Sequence, residues 1–400
     1  MSRETSVPPS GRVADVRLEC AWCGAIRPAD LDPWCASCGG SLRAVLTPAG
    51  ARPTDLVTVT LGEGRTPLLP IPRAVGPDAW VKAEWVNPTG SFKDRGSAVA
   101  LSVAIALETA GVVVASAGNN AASVSAYAAR AGLPCVAVLP ASTPRNKVIQ
   151  ALAHGATVVR VAGDFSDAYR VAELVRRETG WVNMTSTYLN PYMTAAHASI
   201  ATEIAEALDG VIGSIVVPVG AGPMLEGIAE GFERLVAAGS VARMPLLIGV
   251  QASGCAPIVA AFERGDATVA AWPGPPRSIA SSINDPLRGY PDDGTRTLRA
   301  LRRVGGVMVS VDDAAVAVAM RDLGRLEGMA VEPASAATLA GLLALERAMA
   351  VPRPVVLVLS GHVLKDPAQV IALADDSPVL DADGILALVA DLAGPAGPRG

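Results

Sequence analysis

The segment from Asn87 to Arg95 places a lysine directly behind a proline-glycine turn, in the order Asn-Pro-Thr-Gly-Ser-Phe-Lys-Asp-Arg. The turn predicts a helix start, with Ser91 as its cap and Asp94 at the capping-box position. Lys93 would then lie in the first helical turn, where free N–H groups carry partial positive charge and favour a neutral amine. Because a neutral amine is a nucleophile that can bond to an aldehyde, Lys93 is a candidate catalytic residue. The alternative is an ordinary solvated lysine.

Three further turns combine glycine with polar or small residues, and each follows a short apolar run. They are Ser116-Ala-Gly118-Asn119-Asn120, Gly220-Ala221-Gly222 and Ser360-Gly361-His362. A small-residue turn before a helix can bind phosphate through backbone N–H groups, although many tight strand–helix turns look the same. The first turn is equally compatible with an ordinary helix cap.

The elements that must position these turns are short β-branched runs alternating with Ala-rich helical stretches. The runs are Val112–Ala115, Val136–Leu139, Thr157–Val161, Ile215–Val219, Leu246–Val250 and Val355–Leu359. Continuous apolar strands of this length favour a parallel sheet covered on both faces, and the helices between them indicate βαβ units. In such α/β folds ligands bind beyond the carboxyl ends of strands, so we expect the three turns and the lysine turn to line one cleft.

Four of the six cysteines form two CxxCG knuckles, Cys20/Cys23 and Cys35/Cys38, with eleven residues between the pairs. This spacing predicts an N-terminal zinc ribbon with four thiolate ligands. A closed four-ligand shell stabilises a fold and leaves no position for chemistry, so the zinc is expected to be structural. Disulfides are the alternative, which the absence of a secretory signal disfavours.

Composition excludes several classes of function. The 400 residues are 50% hydrophobic and carry a net charge of −5, which indicates roughly two or three domains and disfavours a nucleic-acid partner. No apolar run reaches the roughly 18 residues of a membrane span, so no membrane partner is expected. The N-terminal segment has no apolar core, and we therefore expect a cytoplasmic protein.

The lysine segment resembles the NPTGSFKDRG active-site motif of threonine synthase and its relatives, the fold-type II enzymes that use pyridoxal 5′-phosphate (PLP). The stretch beginning at Leu61, LGEGRTPLL, is similar to another segment of that family, and the resemblance extends from the ribbon to Asp366. It implies a tryptophan synthase β-like α/β fold, with two open, twisted, mostly parallel sheets covered by helices. It also implies PLP bonded to Lys93, a small amino-acid substrate and a homodimer.

The resemblance implies roles for the three turns as well. Asn119 would hydrogen-bond the phenolic oxygen of PLP, and Ser360 would contact the pyridine nitrogen and leave it neutral. Ser116, Gly118 and Asn120 would bind the substrate carboxylate. The cofactor phosphate would lie at Gly220, Ala221, Gly222 and Met224. Pro223 departs from the family pattern there and cannot donate an N–H.

Residues 1–46 are expected to form a disordered start, residues 1–14, followed by the ribbon. Residues 47–98 and 195–400 would form a larger PLP-binding α/β domain, and residues 99–194 a smaller one. The C-terminal Gly394-Pro-Ala-Gly-Pro-Arg-Gly is expected to be frayed.

The implied reaction is that of threonine synthase, in which O-phosphohomoserine and water give threonine and phosphate, with Lys93 as the base near Cα. One departure weakens the substrate inference. The segment from Ser278 to Asp285 is similar to one in which an arginine usually follows Ile, but here Asn284 and Asp285 follow Ile283. An aspartate would repel a phosphate dianion, and Arg288 is a nearby substitute. The alternatives are β-elimination of serine, threonine or diaminopropionate, β-replacement of the cysteate synthase type, or a non-catalytic binding module.

Overall fold

The computed structural model describes residues 13–46, 51–116, 118–143, 145–367 and 380–393. The chain up to Asp366 forms one compact unit, and a second unit begins at Pro367. The described part of the second unit contains the helix Ala382–Ala393. Of the predicted disordered residues 1–14, residues 1–12 lie outside the described residues, whereas Val13 and Ala14 begin a 3-10 helix, Val13–Asp15, so the prediction is wrong for these two. The predicted fraying of residues 394–400 also lies outside the described residues.

Thirteen strands are found in the described residues of the first unit. They are β1 (Val16–Cys20), β2 (Ile26–Pro28), β3 (Leu42–Leu46), β4 (Leu68–Pro70), β5 (Ala79–Ala83), β6 (Val112–Ala115), β7 (Cys135–Pro140), β8 (Thr157–Val161), β9 (Val182–Asn183), β10 (Ser214–Pro218), β11 (Leu246–Ala252), β12 (Val307–Val311) and β13 (Val355–Leu359). All six predicted runs are therefore strands, with ends shifted by at most two residues.

Two mostly parallel sheets carry the fold. The larger has the order β12-β11-β10-β13-β5-β4, and its pairs are parallel except the edge pair of β4 with β5. The smaller has the order β8-β7-β6-β9 and is wholly parallel. The central strands β10 and β13 are buried along their whole length, as expected for strands covered on both faces. The predicted fold class is confirmed.

Helices connect these strands. They are α1 (Lys93–Ala106), α2 (Asn119–Ala131), α3 (Ile149–Ala153), α4 (Phe165–Thr179), α5 (Pro191–Ala196), α6 (Ala198–Ala207), α7 (Pro223–Ala237), α8 (Pro257–Arg264), α9 (Pro291–Arg303), α10 (Asp313–Glu327) and α11 (Pro333–Glu346). Three of them, α1, α2 and α7, begin at residues that the sequence singled out. Among the described residues, no helix has both the length and the apolar character that a bilayer crossing requires.

The N-terminal module is a three-stranded antiparallel sheet in the order β2-β1-β3. Its buried side chains, including Val16, Leu18 and Leu42, belong to the same apolar core as residues of α1 and α5. The module is therefore packed against the α/β body. The four-stranded sheet lies within residues 99–194, but the proposed domain boundaries themselves stay a prediction.

Candidate active site

A cavity of about 380 Å³ lies at the ends of the parallel strands, within the size range of small-molecule sites. Every residue that the sequence analysis assigned to the cofactor or substrate lines it. These are Lys93, Ser116, Gly118, Asn119, Asn120, Gly220, Ala221, Gly222, Met224 and Ser360. The structure thus brings the four turns together, while the individual roles stay predictions.

Lys93 is the first residue of α1, and its Nζ donates a hydrogen bond to Ser186 Oγ at 2.7 Å. Burial lowers the pKa of the Lys93 amine to about 8, against the opposing influence of the Glu332 and Asp285 carboxyl groups. The sequence analysis expected a neutral amine because of the helix N-terminus. The cause found in the structure is removal of the amine from water, since an ammonium loses hydration there.

The turn before Lys93 is fixed differently from the predicted capping box. Phe92 occupies the N-cap position without a side-chain cap, and Ser91 Oγ has no hydrogen-bond partner among the described residues. The Asp94 carboxylate instead accepts bonds from Thr89 N and Thr89 Oγ1, both at 2.7 Å. The capping prediction is therefore wrong, because Asp94 reaches back past Ser91 and closes the Pro-Thr-Gly turn.

Backbone hydrogen bonds join the lysine turn to the end of β13. Phe92 N donates to Ser360 O at 2.9 Å, and His362 N donates to Gly90 O at 2.9 Å. These bonds explain why two segments far apart in sequence face one cavity. The hydroxyl of Ser360 lies 3.2 Å from Ser335 Oγ and 3.3 Å from Glu332 Oε1.

A buried charge network lies beside α1 and was not identified from the sequence. Arg95 donates to both oxygens of Glu84 at 2.7 Å and to Glu203 at 2.6 Å. Lys82 Nζ lies 2.6 Å from Glu203 Oε2. The only sequence signal was Lys82 and Glu84 alternating with apolar residues ahead of the turn, which gave no hint of Glu203.

The turn from Gly220 to Gly222 leads into α7. Gly222 has φ +109°, and a Cβ there would lie 2.2 Å from Thr297 Oγ1, so no larger residue fits. Pro223 occupies a first-turn position of α7, where a missing N–H removes no intrahelical bond. The arrangement fits the phosphate of PLP, because free N–H groups at the start of a helix attract anions.

Asn119 and Asn120 open α2. Asn119 Nδ2 donates to the two Glu332 oxygens at 3.0 and 3.1 Å. Asn120 Nδ2 donates to Met184 O at 2.8 Å, whereas its buried Oδ1 has no partner among the described residues. The buried Oδ1 of Asn284 is likewise unpaired there. Two orphaned acceptors in the lining fit a ligand with N–H or O–H donors.

Glu332 lies in the lining of the cavity and is 1% exposed. It accepts a bond from Ser282 Oγ at 3.0 Å in addition to those from Asn119. Burial raises its pKa, and the hydrogen bonds oppose the rise. A carboxyl group in this setting can hold a proton near neutral pH more readily than a solvated one.

Three further cations line the cavity. Lys147 Nζ contacts Ser281 Oγ at 2.9 Å and Asp366 Oδ2 at 3.0 Å. Arg288, the suggested substitute for the family's arginine, faces Asp164 at 3.7 Å. Lys365 donates to Gln150, and burial lowers the pKa of Lys365 to about 8. Lys365 is thus a second amine with the same lowered pKa as Lys93.

Asp285 lies beside the Gly220 turn. A Cβ on Gly220 would stand 3.6 Å from the Cβ of Asp285, and Asp285 Oδ1 accepts bonds from Leu287 N at 2.9 Å and Tyr290 Oη at 3.0 Å. Burial raises the pKa of Asp285. A raised pKa favours the neutral carboxyl group, and only the ionised form of Asp285 would repel a phosphate dianion.

The four knuckle cysteines form a separate cluster, and their sulfur atoms all lie within 4.8 Å of one another. Cys20 and Cys38 Sγ are 3.4 Å apart, and Cys23 and Cys35 Sγ are 3.7 Å apart. Tetrahedral zinc with bonds near 2.3 Å would separate its sulfur ligands by about 3.8 Å. The four thiols are free, so the alternative of disulfides is not what the structure shows, and the donor set fits zinc.

Comparison with known proteins agrees with this cavity. Residues 59–361 match the family model described as pyridoxal-phosphate dependent enzyme. The threonine synthase of Methanosarcina acetivorans is 38% identical, over 83% of this chain and 82% of that protein. That of Methanocaldococcus jannaschii is 34% identical, over 81% of each.

Among solved structures, a threonine deaminase from T.th. superposes with a TM-score of 0.60 and 28% identity, covering 75% of this chain and 89% of that one. The family match extends well beyond the lysine segment and includes the strands and turns that line the cavity. The chain therefore belongs to the family of pyridoxal-phosphate dependent enzymes.

Proposed function

We propose that this protein is a PLP-dependent lyase of the threonine synthase type, which converts O-phosphohomoserine and water into threonine and phosphate. The observation that carries the proposal is that one cavity joins the Lys93 amine to a rim of cations, Lys147 and Arg288. An amine of lowered pKa serves as a base, and cations attract a phosphate leaving group. The relatives named threonine synthase support the same assignment.

The chain's own residues divide the task of holding the cofactor. Lys93 would carry it covalently, and the turn Gly220-Ala221-Gly222 with Met224 would bind its phosphate. Asn119 and Ser360 would contact the ring. When bound, PLP supplies an electron sink that stabilises negative charge at the substrate Cα.

Lys93 Nζ would accept and return the Cα proton, since a pKa near 8 suits proton transfer at neutral pH. Ser186 Oγ, at 2.7 Å, orients the amine. The N-terminus of α2, with Ser116, Gly118 and Asn120, would bind the substrate carboxylate, because its free N–H groups favour an anion. Glu332 would hold Asn119 in place through the paired contacts described above.

A second candidate is β-elimination from an amino acid without phosphate. It is favoured by Asp285 beside the Gly220 turn and by the pairing of Arg288 with Asp164, since both reduce the positive field available to a phosphate. The similarity to a threonine deaminase structure is consistent with this reaction.

A substrate panel distinguishes the two candidates. O-Phosphohomoserine, O-phosphoserine, serine, threonine and diaminopropionate would be assayed for release of phosphate, ammonia and keto acid. Release of phosphate with threonine as product supports the first candidate. Release of ammonia and keto acid from an unphosphorylated substrate would support the second candidate and contradict the first.

Lys147→Met should raise KM for the phosphorylated substrate by about tenfold or more if Lys147 binds phosphate.

We also propose that the four cysteines bind one structural zinc ion per chain and that the protein is a cytoplasmic homodimer. The cysteine geometry supports the metal, whereas the dimer and the location rest on the family resemblance and on the composition. Metal analysis of the purified protein should give one zinc per chain. Light scattering should give twice the mass of 40.7 kDa, and a monomer would contradict the dimer.

A further inference from the structure

Arg296 on α9 connects the cysteine ribbon to the α/β body. Its Nη1 donates to Ser41 Oγ at 3.0 Å and to Leu42 O at 2.9 Å, and its Nε donates to Glu226 at 2.8 Å. Ser41 belongs to the ribbon, because its carbonyl accepts a bond from Ala21 N beside the first knuckle. The side chains of Arg296 and Glu226 are 4% and 2% exposed, so this is a buried contact rather than a surface ion pair.

The same guanidinium lies over the ring of Tyr188, 4.1 Å from its centroid. The Tyr188 hydroxyl is 2.8 Å from Thr297 Oγ1, and burial raises the pKa of Tyr188 well above its ordinary value. The phenol therefore keeps its proton and can donate it to Thr297. Tyr188 also lies two residues after Ser186, whose hydroxyl contacts the Lys93 amine.

Thr297 completes the connection to the turn that faces the cavity. Its Oγ1 donates to Ala221 O at 2.5 Å, and it is the side chain that a Cβ on Gly222 would strike. One hydroxyl thus fixes the carbonyl orientation of Ala221 and closes the space behind Gly222. Because the Ala221 carbonyl and the Gly222 N–H belong to one planar trans peptide unit, this contact also sets where the Gly222 N–H points.

We propose that Arg296, Tyr188 and Thr297 are positioning residues that make the phosphate affinity of the Gly220-Ala221-Gly222 turn depend on metal binding in the ribbon. A metal ion in the cysteine cluster fixes Ser41 and Leu42, which fix Arg296 and, through Tyr188 and Thr297, the turn. The cluster shares no lining residue with the cavity, so an effect of the metal on the turn has to be relayed by residues that lie between them. This inference rests on the assignment of the turn to phosphate, not on the identity of the substrate.

The first test measures the affinity of cofactor-free protein for PLP with the ribbon zinc-loaded and zinc-free. Zinc removal should raise the Kd for PLP by about tenfold, the effect of one mispositioned hydrogen bond. The Kd for pyridoxal, which lacks the phosphate, should change by less than about twofold. Equal weakening of both ligands would indicate general loosening and would overturn the proposal.

Variants of Thr297 locate the connection. In zinc-loaded protein, Thr297→Val should raise the Kd for PLP by about tenfold and remove the further effect of zinc removal, whereas Thr297→Ser, which retains the hydroxyl, should restore both. Arg303→Met is the matched control, because Arg303 lies on the same helix but pairs with exposed Glu233.

Where zinc removal unfolds the chain, Ser41→Ala in zinc-loaded protein is the second measurement, since it removes only one acceptor of Arg296. It should weaken PLP binding severalfold and leave pyridoxal binding unchanged. Unchanged PLP affinity in both Thr297→Val and Ser41→Ala would overturn the proposal. A zinc-loaded protein that binds PLP no more tightly than pyridoxal would instead contradict the assignment of the turn to the cofactor phosphate. Failure to bind either ligand would contradict the proposed function.

Discussion

Two lysines eleven residues apart have opposite surroundings. Lys82, in β5, is 1% exposed and lies 2.6 Å from Glu203, with a further bond to Thr66 O at 2.5 Å. Lys93, at the start of α1, faces the cavity, and its Nζ donates to the neutral Ser186 hydroxyl. Burial lowers the pKa of both amines.

The difference lies in what offsets the cost of burial. The Glu203 carboxylate in direct contact with Lys82, together with the charge of Glu84, opposes the lowering of the Lys82 pKa, so that amine acts as a structural cation. Lys93 has no ion pair within 4 Å among the described residues. Its burial therefore raises the neutral fraction of the amine, and the neutral amine is the nucleophile. Loss of water makes an amine nucleophilic only where no close anion compensates.

Replacing Lys93 should have the largest effect. Lys93→Ala should lower kcat by at least about 10³-fold, because it removes both the covalent attachment and the base, and should abolish the visible absorbance of bound PLP. Lys365→Met is the matched control, since Lys365 shares the cavity and the lowered pKa, and it should retain the absorbance. Retained turnover in Lys93→Ala would refute the assignment.

Replacing Lys82 should reverse this pattern. Lys82→Met leaves Glu203 with less compensating charge, and breaking a buried ion pair costs about 3–5 kcal/mol. The free energy of unfolding, measured with urea on cofactor-free protein, should fall by that amount, while kcat per folded holoenzyme changes little. The double change Lys82→Met with Glu203→Gln should cost less than the sum of the single changes. Additive losses would mean that the two residues do not interact.

Several parts of the fold and of the candidate site were predictable from the sequence. The lysine motif, the apolar strand runs and the turns that follow them predicted the parallel sheets and the convergence of Lys93, Asn119, Gly222 and Ser360. The periodicity of apolar residues and the residue types of turns are local properties, so both can be read from a single sequence. The cysteine spacing likewise predicted a four-thiol cluster.

Other parts depend on contacts between distant segments. Nothing around Glu203 or Thr297 indicates that one neutralises Lys82 and the other holds Ala221. The prediction that Ser91 caps α1 was also wrong, because the Asp94 carboxylate accepts hydrogen bonds from Thr89 N and Thr89 Oγ1 instead. The burial that lowers the pKa of Lys93 is likewise a property of the assembled cavity.

The free energy of unfolding at low pH should depend on the ion pairs that Glu203 makes with Lys82 and Arg95. Hydrogen bonds and charges from Arg95 and Lys82 lower the pKa of Glu203 to about 2, although burial opposes them. Its folded-state pKa lies below the unfolded value, so its stabilisation is present above about pH 4.5 and is lost as the pH falls toward 2. The expected loss is about 2–3 kcal/mol.

Unfolding free energies at about pH 5 and about pH 2.5 would check this window. Glu203→Gln should be less stable than the parent at the higher pH and should show a smaller decline on acidification. An unchanged decline would show that other carboxyl groups control the acid response.

The pH dependence of cofactor capture should report Lys93. The neutral fraction of an amine rises about tenfold per pH unit below its pKa, so the rate of PLP capture by cofactor-free protein should rise in that way and level off above about 8. Lys365→Met should keep this profile. A profile still rising at about pH 10 would mean that the reacting amine is solvated.

The most direct measurement of the central claim is borohydride trapping of the lysine-bound cofactor, followed by mass spectrometry of the peptides. Two amines of the cavity, Lys93 and Lys365, have the same lowered pKa, so the experiment asks which one the structure has placed to react. The account predicts that the mass of the reduced cofactor is found on the peptide containing Lys93. Modification of Lys365 or Lys82, or of no lysine, would contradict it.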